Sequence, residues 1–166
     1  MAEARTNAPP DIRSFHSDDT AALARLWHAG WHEAHAAHVP ARLRAARTLA
    51  FYHRRLAAFA EHLRIIGPVG APEGLCMTRK DEVFQLFVTP EARGTGIATA
   101  LLTDAEAKLA AQGATTGHLS CLPTNTRAIA FYRRQGWQPG GIEARPLQTG
   151  EGHVMVDMLS FRKHLE

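Results

Sequence analysis

The sequence is poor in cysteine and has no long apolar run. Its 166 residues include two cysteines, Cys76 and Cys121, which form no CxxC pair, so we expect no cysteine-based metal site. A low cysteine content is typical of proteins in a reducing compartment. Both cysteines are expected to be free thiols in the core. No apolar stretch approaches the roughly 20 residues that span a bilayer. The sequence therefore indicates a protein that does not enter a membrane.

A strong charge imbalance and a signal peptide are also missing. The formal net charge is +3, with 21% charged residues, which is too weak and too scattered to predict a nucleic-acid partner. Residues 1–10 have no apolar signal-peptide core, and we expect them to form a disordered lead-in. Residues 11–166 are predicted to form one domain. The expected location is the cytoplasm.

The spacing of apolar residues predicts an α+β fold around one mixed sheet. A strand is followed by two helices, three strands, a helix, a strand, a helix and two strands. The first helix is expected to end near residue 32 and the second to cover 43–63. A helix over 97–112 connects predicted strands near Val88 and His118, which should be parallel with a right-handed crossover. We expect six to seven mostly antiparallel strands flanked by about four helices.

A glycine-spaced turn stands between one predicted strand and the next helix. Gly94 and Gly96 allow a tight turn and a close approach of the backbone to a ligand. The first N–H groups of the following helix have no intrahelical partners, and the helix dipole adds partial positive charge there. Arg93 adds a full charge beside them. The stretch therefore predicts a site for a phosphate or pyrophosphate.

Two common nucleotide motifs are disfavoured at this turn. The stretch lacks the Gly-Lys-Ser/Thr of a P-loop, and Thr99 stands where a dinucleotide fingerprint has its third glycine. A tight strand-to-helix turn without any ligand is the alternative that these residues leave open.

Two spaced motifs resemble those of one protein family. The first reads Val88-x-Pro90-x-x-Arg93-Gly94-x-Gly96-Ile97-Ala98, and the second reads Asn125-x-x-Ala128-x-x-Phe131-Tyr132-x-x-x-Gly136-Trp137. The first resembles the acyl-CoA-binding motif of the GCN5-related N-acetyltransferases, the GNAT family, and the second is similar to the segment after that family's fifth strand. The resemblance covers residues 12 to 160. It implies a GNAT-like fold with splayed central parallel strands.

The resemblance implies acetyl-CoA as the co-substrate. In the family it lies between the splayed fourth and fifth strands, where a bulge in the fourth strand frees backbone groups, and its pyrophosphate sits on the N–H groups of the glycine turn. The implied cofactor-binding residues are Leu86, Phe87, Val88, Arg93, Gly94, Thr95, Gly96, Ile97, Ala98, Thr99 and Asn125. For Asn125, a helix N-cap is an additional and compatible role.

The resemblance also implies catalytic residues. Tyr132 matches the tyrosine that gives a proton to the departing CoA sulfur, and plain core packing is the alternative. Glu82 falls where some members carry a glutamate base, although a solvated turn carboxylate is equally compatible with the sequence. His118 is a second candidate base, and Ser120 is polar and at a position to face the cleft.

The first helices shape the acceptor site in this family. The residues expected there are Trp27, Trp31, Glu33, His35 and His118. Glu33 is expected to pair with a cationic amine or to lie on a solvated helix face. His28, His32 and His35 can share one helix face, which leaves zinc open, but their spacing does not match HExxH and we expect no metal.

The resulting hypothesis is an N-acetyltransferase that moves an acetyl group from acetyl-CoA to a primary amine. A catalytically silent acyl-CoA-sensing module, and a transferase with another acyl donor or a hydroxyl acceptor, are the alternatives. The acceptor is expected to be a small-molecule amine or a peptide N-terminus, without nucleic acid or membrane. Alternation over 153–159 leaves open a homodimer formed through the last strands.

Overall fold

A computed structural model describes residues 8–166 and shows one mixed sheet of seven strands. Residues 1–7 of the expected lead-in lie outside the described residues, and residues 8–10 form neither helix nor strand. The strand order is β1-β2-β3-β4-β5-β7-β6. The strands are β1 (Ile12–Ser14), β2 (Leu63–Ile66), β3 (Gly74–Arg79), β4 (Glu82–Val88), β5 (Thr116–Cys121), β6 (Gln138–Thr149) and β7 (Gly152–His164).

Five α-helices cover the two faces of this sheet. They are α1 (Thr20–His35), α2 (Ala41–Ala46), α3 (Leu49–Phe59), α4 (Ile97–Ala111) and α5 (Thr126–Arg134), with single 3₁₀ turns at 17–19, 36–38, 60–62 and 90–92. The predicted α+β fold is confirmed, with one helix more than expected. Within residues 8–166, no helix is both long enough and apolar enough to cross a membrane.

The helical region before β2 differs from its prediction in two ways. Helix α1 continues to His35, three residues past the predicted end. The predicted helix over 43–63 is split, because Arg47 leaves the helical conformation and the Thr48 side chain accepts a hydrogen bond from the Phe51 N–H at 3.2 Å. Threonine at this position is a helix N-cap, so it starts α3 as a separate helix.

The parallel pairing of β4 and β5 is confirmed, but it extends over one residue pair only. Glu82 is paired with His118, and the His118 N–H donates to the Asp81 carbonyl at 2.9 Å. Beyond this point the two strands diverge. The backbone of β4 from 83 to 88 therefore has no strand partner on the β5 side, while its other side remains paired with β3.

A β-bulge interrupts the β3–β4 ladder upstream of its expected place. Met77 pairs with Gln85 and Thr78 pairs with Val83, so Phe84 is the extra residue. The resemblance implied free backbone groups at Leu86, Phe87 and Val88. In the structure these residues pair normally with β3, and the divergence from β5 is what leaves one side of their strand open.

Two apolar cores lie on opposite faces of the sheet. One joins α1 and α3 to the sheet through buried residues such as Leu23, Trp27 and Leu56, and the other lies under α4. Cys76 and Cys121 are both free and buried in the second core, as expected. Burial raises the pKa of the Cys76 thiol to about 12 and that of Cys121 to about 11, which makes both poor nucleophiles.

Strands β6 and β7 form a hairpin that is longer than the sequence predicted. Pro139 and Ile142 flank an irregularity in its ladder, as the Pro-Gly-Gly segment suggested. Towards its tip the hairpin packs on the helices, where the Arg47 guanidinium donates to the Gln148 carbonyl. The hairpin thereby becomes a wall beside the first helices.

Candidate active site

A cavity of about 430 Å³ lies where β4 and β5 diverge. Helix α1 borders it on one side, and the start of α4 and helix α5 border it on the other. Nine of the predicted cofactor-binding residues line it, namely Leu86, Phe87, Val88, Arg93, Gly94, Gly96, Ala98, Thr99 and Asn125. The structure therefore brings these residues together around one space, while their part in binding stays a prediction.

The glycine turn leaves a group of backbone amides without partners. Gly94 and Gly96 have φ values of 73° and 87°, a left-handed region that glycine adopts without steric cost. Among the described residues, no backbone carbonyl accepts from the amides of Gly94, Gly96 or of residues 97–99. These amides lie at the N-terminus of the 15-residue helix α4. The arrangement fits an anion.

Two residues of the predicted set do not line the cavity. The amide and the hydroxyl of Thr95 both donate to the Ala92 carbonyl oxygen, so they stabilise the turn itself. Ile97 is buried among the apolar residues under α4. The Thr95 amide, which was predicted to contact the pyrophosphate with its neighbours, already donates to a carbonyl of the turn. The sequence alone does not distinguish this amide from the others.

Several cavity residues were missed by the sequence prediction. Arg127 and Arg134 of α5 line the same cavity as Arg93 and bring two more positive charges to it. Both arginines lie within the second motif, on the helix that follows β5. Their positive charge was the sequence signal that could have predicted them as part of an anion site. The Gln135 side chain, which also lines the cavity, donates to the Thr99 hydroxyl at 3.3 Å and joins α5 to α4.

Glu33 lines neither cavity, but it pairs with two arginines that line the first one. Its carboxylate accepts from Arg93 at 2.6 Å and from Arg127 at 3.3 Å. The hydrogen bond from Arg93 is the larger cause of the lowered pKa of Glu33. Its expected pairing with a cation is therefore seen, but the cations are two guanidinium groups of the protein.

Tyr132 and Asn125 stand between the first cavity and a second one. Both line both cavities. The Asn125 side chain accepts from the Ala128 N–H at 3.2 Å, which confirms its N-cap role. The Tyr132 ring packs near Phe131 and Phe161, and burial raises the pKa of its phenol. Tyr132 is therefore protonated at neutral pH, and within residues 8–166 its hydroxyl makes no hydrogen bond.

The second cavity measures about 160 Å³ and lies between α1, β4 and the β6–β7 hairpin. It contains apolar, aromatic and charged side chains. Among those facing it are Trp31, His35, Arg79, Glu82, Phe84, Ser120, Arg145, Leu147 and Met158. Ser120 lies at this cavity, as the sequence suggested.

Glu82 lines the second cavity but is held by two arginines. One carboxylate oxygen accepts from Arg145 at 2.8 Å and the other from Arg79 at 3.1 Å. The side chain is largely buried, so it is not the solvated turn carboxylate that was the alternative. Its role as a base stays a prediction, and both of its oxygens already accept hydrogen bonds.

The other predicted acceptor residues are dispersed. Trp31 and His35 line the second cavity with their rings stacked at 4.9 Å. Trp27 is buried in the core and reaches the site only through its indole N–H, which donates to Gln85 at 3.2 Å. His118 lines neither cavity. Its side chain is half exposed, 3.7 Å from the Asp81 carboxylate.

The histidine side chains of α1 contact backbone carbonyl groups and neighbouring aromatic rings. His32 Nε2 donates to the Arg47 carbonyl at 2.8 Å, and His35 Nδ1 donates to the Trp31 carbonyl at 3.0 Å. The ring centres of His28 and His32 lie 4.3 Å apart, and the two ring planes are tilted by 38°. Residues 8–166 contain no group of three or more His, Cys, Asp or Glu side chains placed to hold a metal ion.

The comparisons with known proteins agree with this geometry. A model of the acetyltransferase (GNAT) family matches residues 13–137. A GCN5-related N-acetyltransferase from Rhodopseudomonas palustris has a similar structure, with a TM-score of 0.73 and 20% identity over 98% of this chain and 100% of that one. This chain belongs to the GNAT acetyltransferase family.

Two further solved structures are similar over most of their length. The ribosomal-protein-alanine N-acetyltransferase from Brucella melitensis gives a TM-score of 0.68 at 20% identity, covering 93% of this chain and 99% of that one. The PaiA N-acetyltransferase from Thermoplasma acidophilum, solved with coenzyme A, gives 0.64 at 16% identity, covering 93% and 98%. At these identities the likeness concerns the fold.

Proposed function

We propose that the protein is an N-acetyltransferase that uses acetyl-CoA and a primary amine in a ternary complex. The observation that carries this proposal is the meeting of the two cavities at Tyr132, where Leu86 and Phe87 of β4 also line both. Such an arrangement lets a donor and an acceptor approach the same point from opposite sides.

The first cavity fits a CoA-type ligand. The free amides at the start of α4 and the guanidinium groups of Arg93, Arg127 and Arg134 suit its phosphates. The open backbone edge of β4 at 86–88 suits the amide groups of the pantetheine arm. Acetyl-CoA would supply the acetyl group as a thioester.

Tyr132 is proposed as the proton donor. When the amine nitrogen bonds to the acyl carbon and the carbon–sulfur bond breaks, the sulfur needs one proton and the nitrogen loses one. Tyr132 gives its proton to the sulfur, and the proton lost by nitrogen restores the phenol. Its raised pKa keeps that proton in place at neutral pH.

Two arrangements can remove the ammonium proton of the acceptor. Glu82 takes the proton of the acceptor, or it holds Arg79 and Arg145 in place while water takes the proton. The expected homodimer also stays a prediction. It would use β6, one of the two edge strands of the sheet, because β7, which holds residues 153–159, is paired on both sides.

The test of this function is CoA thiol release from acetyl-CoA with a panel of primary amines. For Tyr132→Phe we expect acceptor-dependent release to fall by about 100-fold or more, the scale of general acid catalysis. Arg133→Gln is the control on the same helix, because Arg133 is exposed and lines neither cavity, and it should retain most activity.

Binding of acetyl-CoA, measured by calorimetry, should be nearly unchanged in Tyr132→Phe. Acetyl-CoA binding without release for any amine would favour the sensing module. Release that is equal in the wild type and Tyr132→Phe would remove Tyr132 as the proton donor.

A further inference from the structure

The second cavity carries more positive than negative charge. Arg79 and Arg145 line it, and Glu82 is the only carboxylate among its lining residues. Glu82 accepts one hydrogen bond from each arginine, so a single negative charge is shared by two positive ones. Arg145 has a second carboxylate, Glu143, at 3.9 Å, which is 59% exposed, against 38% for Arg145 and 46% for Arg79. Water therefore screens all three groups, and Glu143 the most.

Two further guanidinium groups pack behind the aromatic wall of this cavity. The Arg55 guanidinium lies 5.4 Å from the centre of the Phe84 ring, and that of Arg79 lies 4.0 Å from it. The Arg47 guanidinium lies 5.3 Å from the Trp31 ring. Among the described residues neither Arg47 nor Arg55 pairs with a carboxylate, and Arg55 makes no hydrogen bond. Stacking on rings stabilises these charges but does not neutralise them.

A buried hydroxyl in the same region also lacks an acceptor. Tyr52 is 1% exposed, and its hydroxyl is the one buried side-chain polar atom without a hydrogen-bond partner in the part of the chain that the structure describes. It interacts electrostatically with both Arg47 and Arg55. A buried hydroxyl without a partner thus lies near two arginines that pair with no carboxylate among the described residues, which is unusual for buried polar groups.

The histidine in the cavity does not change this balance. Burial lowers the pKa of His35 to about 4, and Arg47 is a smaller cause in the same direction. The imidazole is therefore neutral at neutral pH. It adds no positive charge, and it is too weak a base to take a proton from an ordinary ammonium group.

Such a cavity repels a simple ammonium ion and favours a molecule that brings its own negative charge. We propose that the acceptor is a small amino acid-like molecule whose carboxylate binds Arg79 and Arg145, with its amine directed towards Tyr132. The proposal rests on the function proposed above and names the acceptor class for that site. Guanidinium and carboxylate groups match in geometry and charge, and Phe84 and Leu147 leave an apolar surface for a side chain.

The positive surroundings also assist the chemistry. Nearby positive charge disfavours the protonated form of the bound amine, so the ammonium proton leaves to water at the cavity mouth more readily than in solution. The neutral amine then attacks the thioester. A strong protein base is not needed in this arrangement, which agrees with the engagement of Glu82 by two arginines.

Matched acceptors test the carboxylate directly. Thiol release from acetyl-CoA is measured for L-phenylalanine, L-methionine and L-alanine, each beside its carboxamide and its decarboxylated amine. Rates are expressed per unprotonated amine, because carboxamides have more acidic ammonium groups. We expect kcat/KM for the best acid to exceed that of its two partners by about 10-fold or more, the scale of one charge-assisted contact. Equal or better turnover of the uncharged partners overturns the proposal.

Arginine variants locate the contact. Arg145→Met and Arg79→Met should raise KM for the acid about 10-fold, while KM for the carboxamide changes by less than about twofold. Arg54→Met is the matched control, because Arg54 is exposed on α3 beside Arg55 and lines neither cavity. An equal loss with acid and carboxamide would show a structural effect and overturn the assignment of these arginines.

Failure of the inference and failure of the proposed function give different results. Turnover of carboxamides but not acids sinks the inference and keeps the acetyltransferase. Absence of any turnover with intact CoA binding counts against the proposed function. The inference is then decided by calorimetry with the same acids and carboxamides in the presence of CoA, where tighter binding of the acid supports it and equal, weaker or no binding overturns it.

Discussion

Asp19 is the best-connected charged side chain outside the two cavities. Its carboxylate is 0% exposed and accepts from the Arg13 guanidinium at 2.7 and 2.9 Å. It also accepts from the N–H groups of His16 and Gly70 at 3.1 and 2.9 Å. One buried carboxylate therefore joins β1, the start of α1 and the turn after β2.

Replacing this carboxylate should destabilise the whole domain. For Asp19→Asn we expect a loss of about 2–4 kcal/mol in the free energy of unfolding, because Arg13 is left without its partner in a partly buried place. Urea denaturation measures it. Asp18→Asn is the control, since Asp18 is exposed and its contact with His16 is 3.7 Å long. A loss below about 0.5 kcal/mol for Asp19→Asn, the level of a surface change, contradicts the prediction.

The same contact predicts a pH dependence. The hydrogen bond from Arg13 is the main cause that lowers the pKa of Asp19 from 3.8 to about 2. A lowered carboxylate pKa stabilises the fold above the unfolded value and the effect is lost as pH falls through the folded value. The difference between wild type and Asp19→Asn should thus be constant above about pH 5 and shrink between about pH 4 and 2. A difference that does not change over this range would contradict the assignment.

At the scale of elements, the start of α4 combines a left-handed glycine turn with open amides. Gly96→Ala places a side chain at φ 87° and should cost about 1–2 kcal/mol of stability. It should also weaken CoA binding, because the amides of residues 97–99 shift with the turn.

A second glycine separates these two effects. Gly70 has a φ of 81° in open space and lines neither cavity, so Gly70→Ala should lose similar stability and keep its affinity for CoA. Melting curves and calorimetry with CoA measure both quantities. Equal CoA affinity in the two variants would show that the turn does not position the amides.

Local signals were sufficient for some elements and insufficient for others. The glycine turn and the helix over 97–112 could be predicted, because glycine conformation and helical period depend on neighbouring residues. The split at Thr48 was missed, since a threonine cap inside a periodic stretch looks like any surface residue. The length of the β6–β7 hairpin was missed because its outer half packs on α2, a contact that no local pattern records.

The same distinction applies to the candidate site. The residues of the turn are neighbours in sequence, and Arg93, Gly94, Gly96, Ala98 and Thr99 line one cavity, while their part in binding stays a prediction. The contacts of Glu33 span 60 and 94 positions, and those of Glu82 with Arg145 span 63. Sequence reasoning gave these residues plausible chemistry but could not supply their partners.

At the scale of the whole molecule, the sheet consists of two parts joined by little backbone pairing. Strands β1–β4 and strands β5, β7 and β6 meet only at Glu82 and His118. Glu33 adds a side-chain connection between the two parts, because α1 packs on the first part while Arg127 belongs to α5 on the second. Arg127 and Arg93, its two partners, both line the first cavity.

Removing the Glu33 charge should change stability and affinity in opposite directions. Glu33→Gln frees Arg93 and Arg127 for phosphate, so we expect CoA to bind about 2–5-fold more tightly, while the ligand-free protein loses at most about 1 kcal/mol. Calorimetry at low salt and thermal melting measure the two. Glu91→Gln is the control, because Glu91 is exposed in the same loop and makes no ion pair within residues 8–166. Weaker CoA binding in Glu33→Gln would contradict the competition between the carboxylate and phosphate.

The β6–β7 hairpin has a consequence for how this protein and its relatives diverge. The family pattern ends at residue 137, one residue before the hairpin begins, yet Arg145, Pro146 and Leu147 form part of the acceptor wall. The lining of the first cavity lies wholly within the stretch that the family model matches, whereas that of the second lies partly beyond it. Under the proposed function, substitutions in this hairpin could change the acceptor without touching any residue that lines the first cavity.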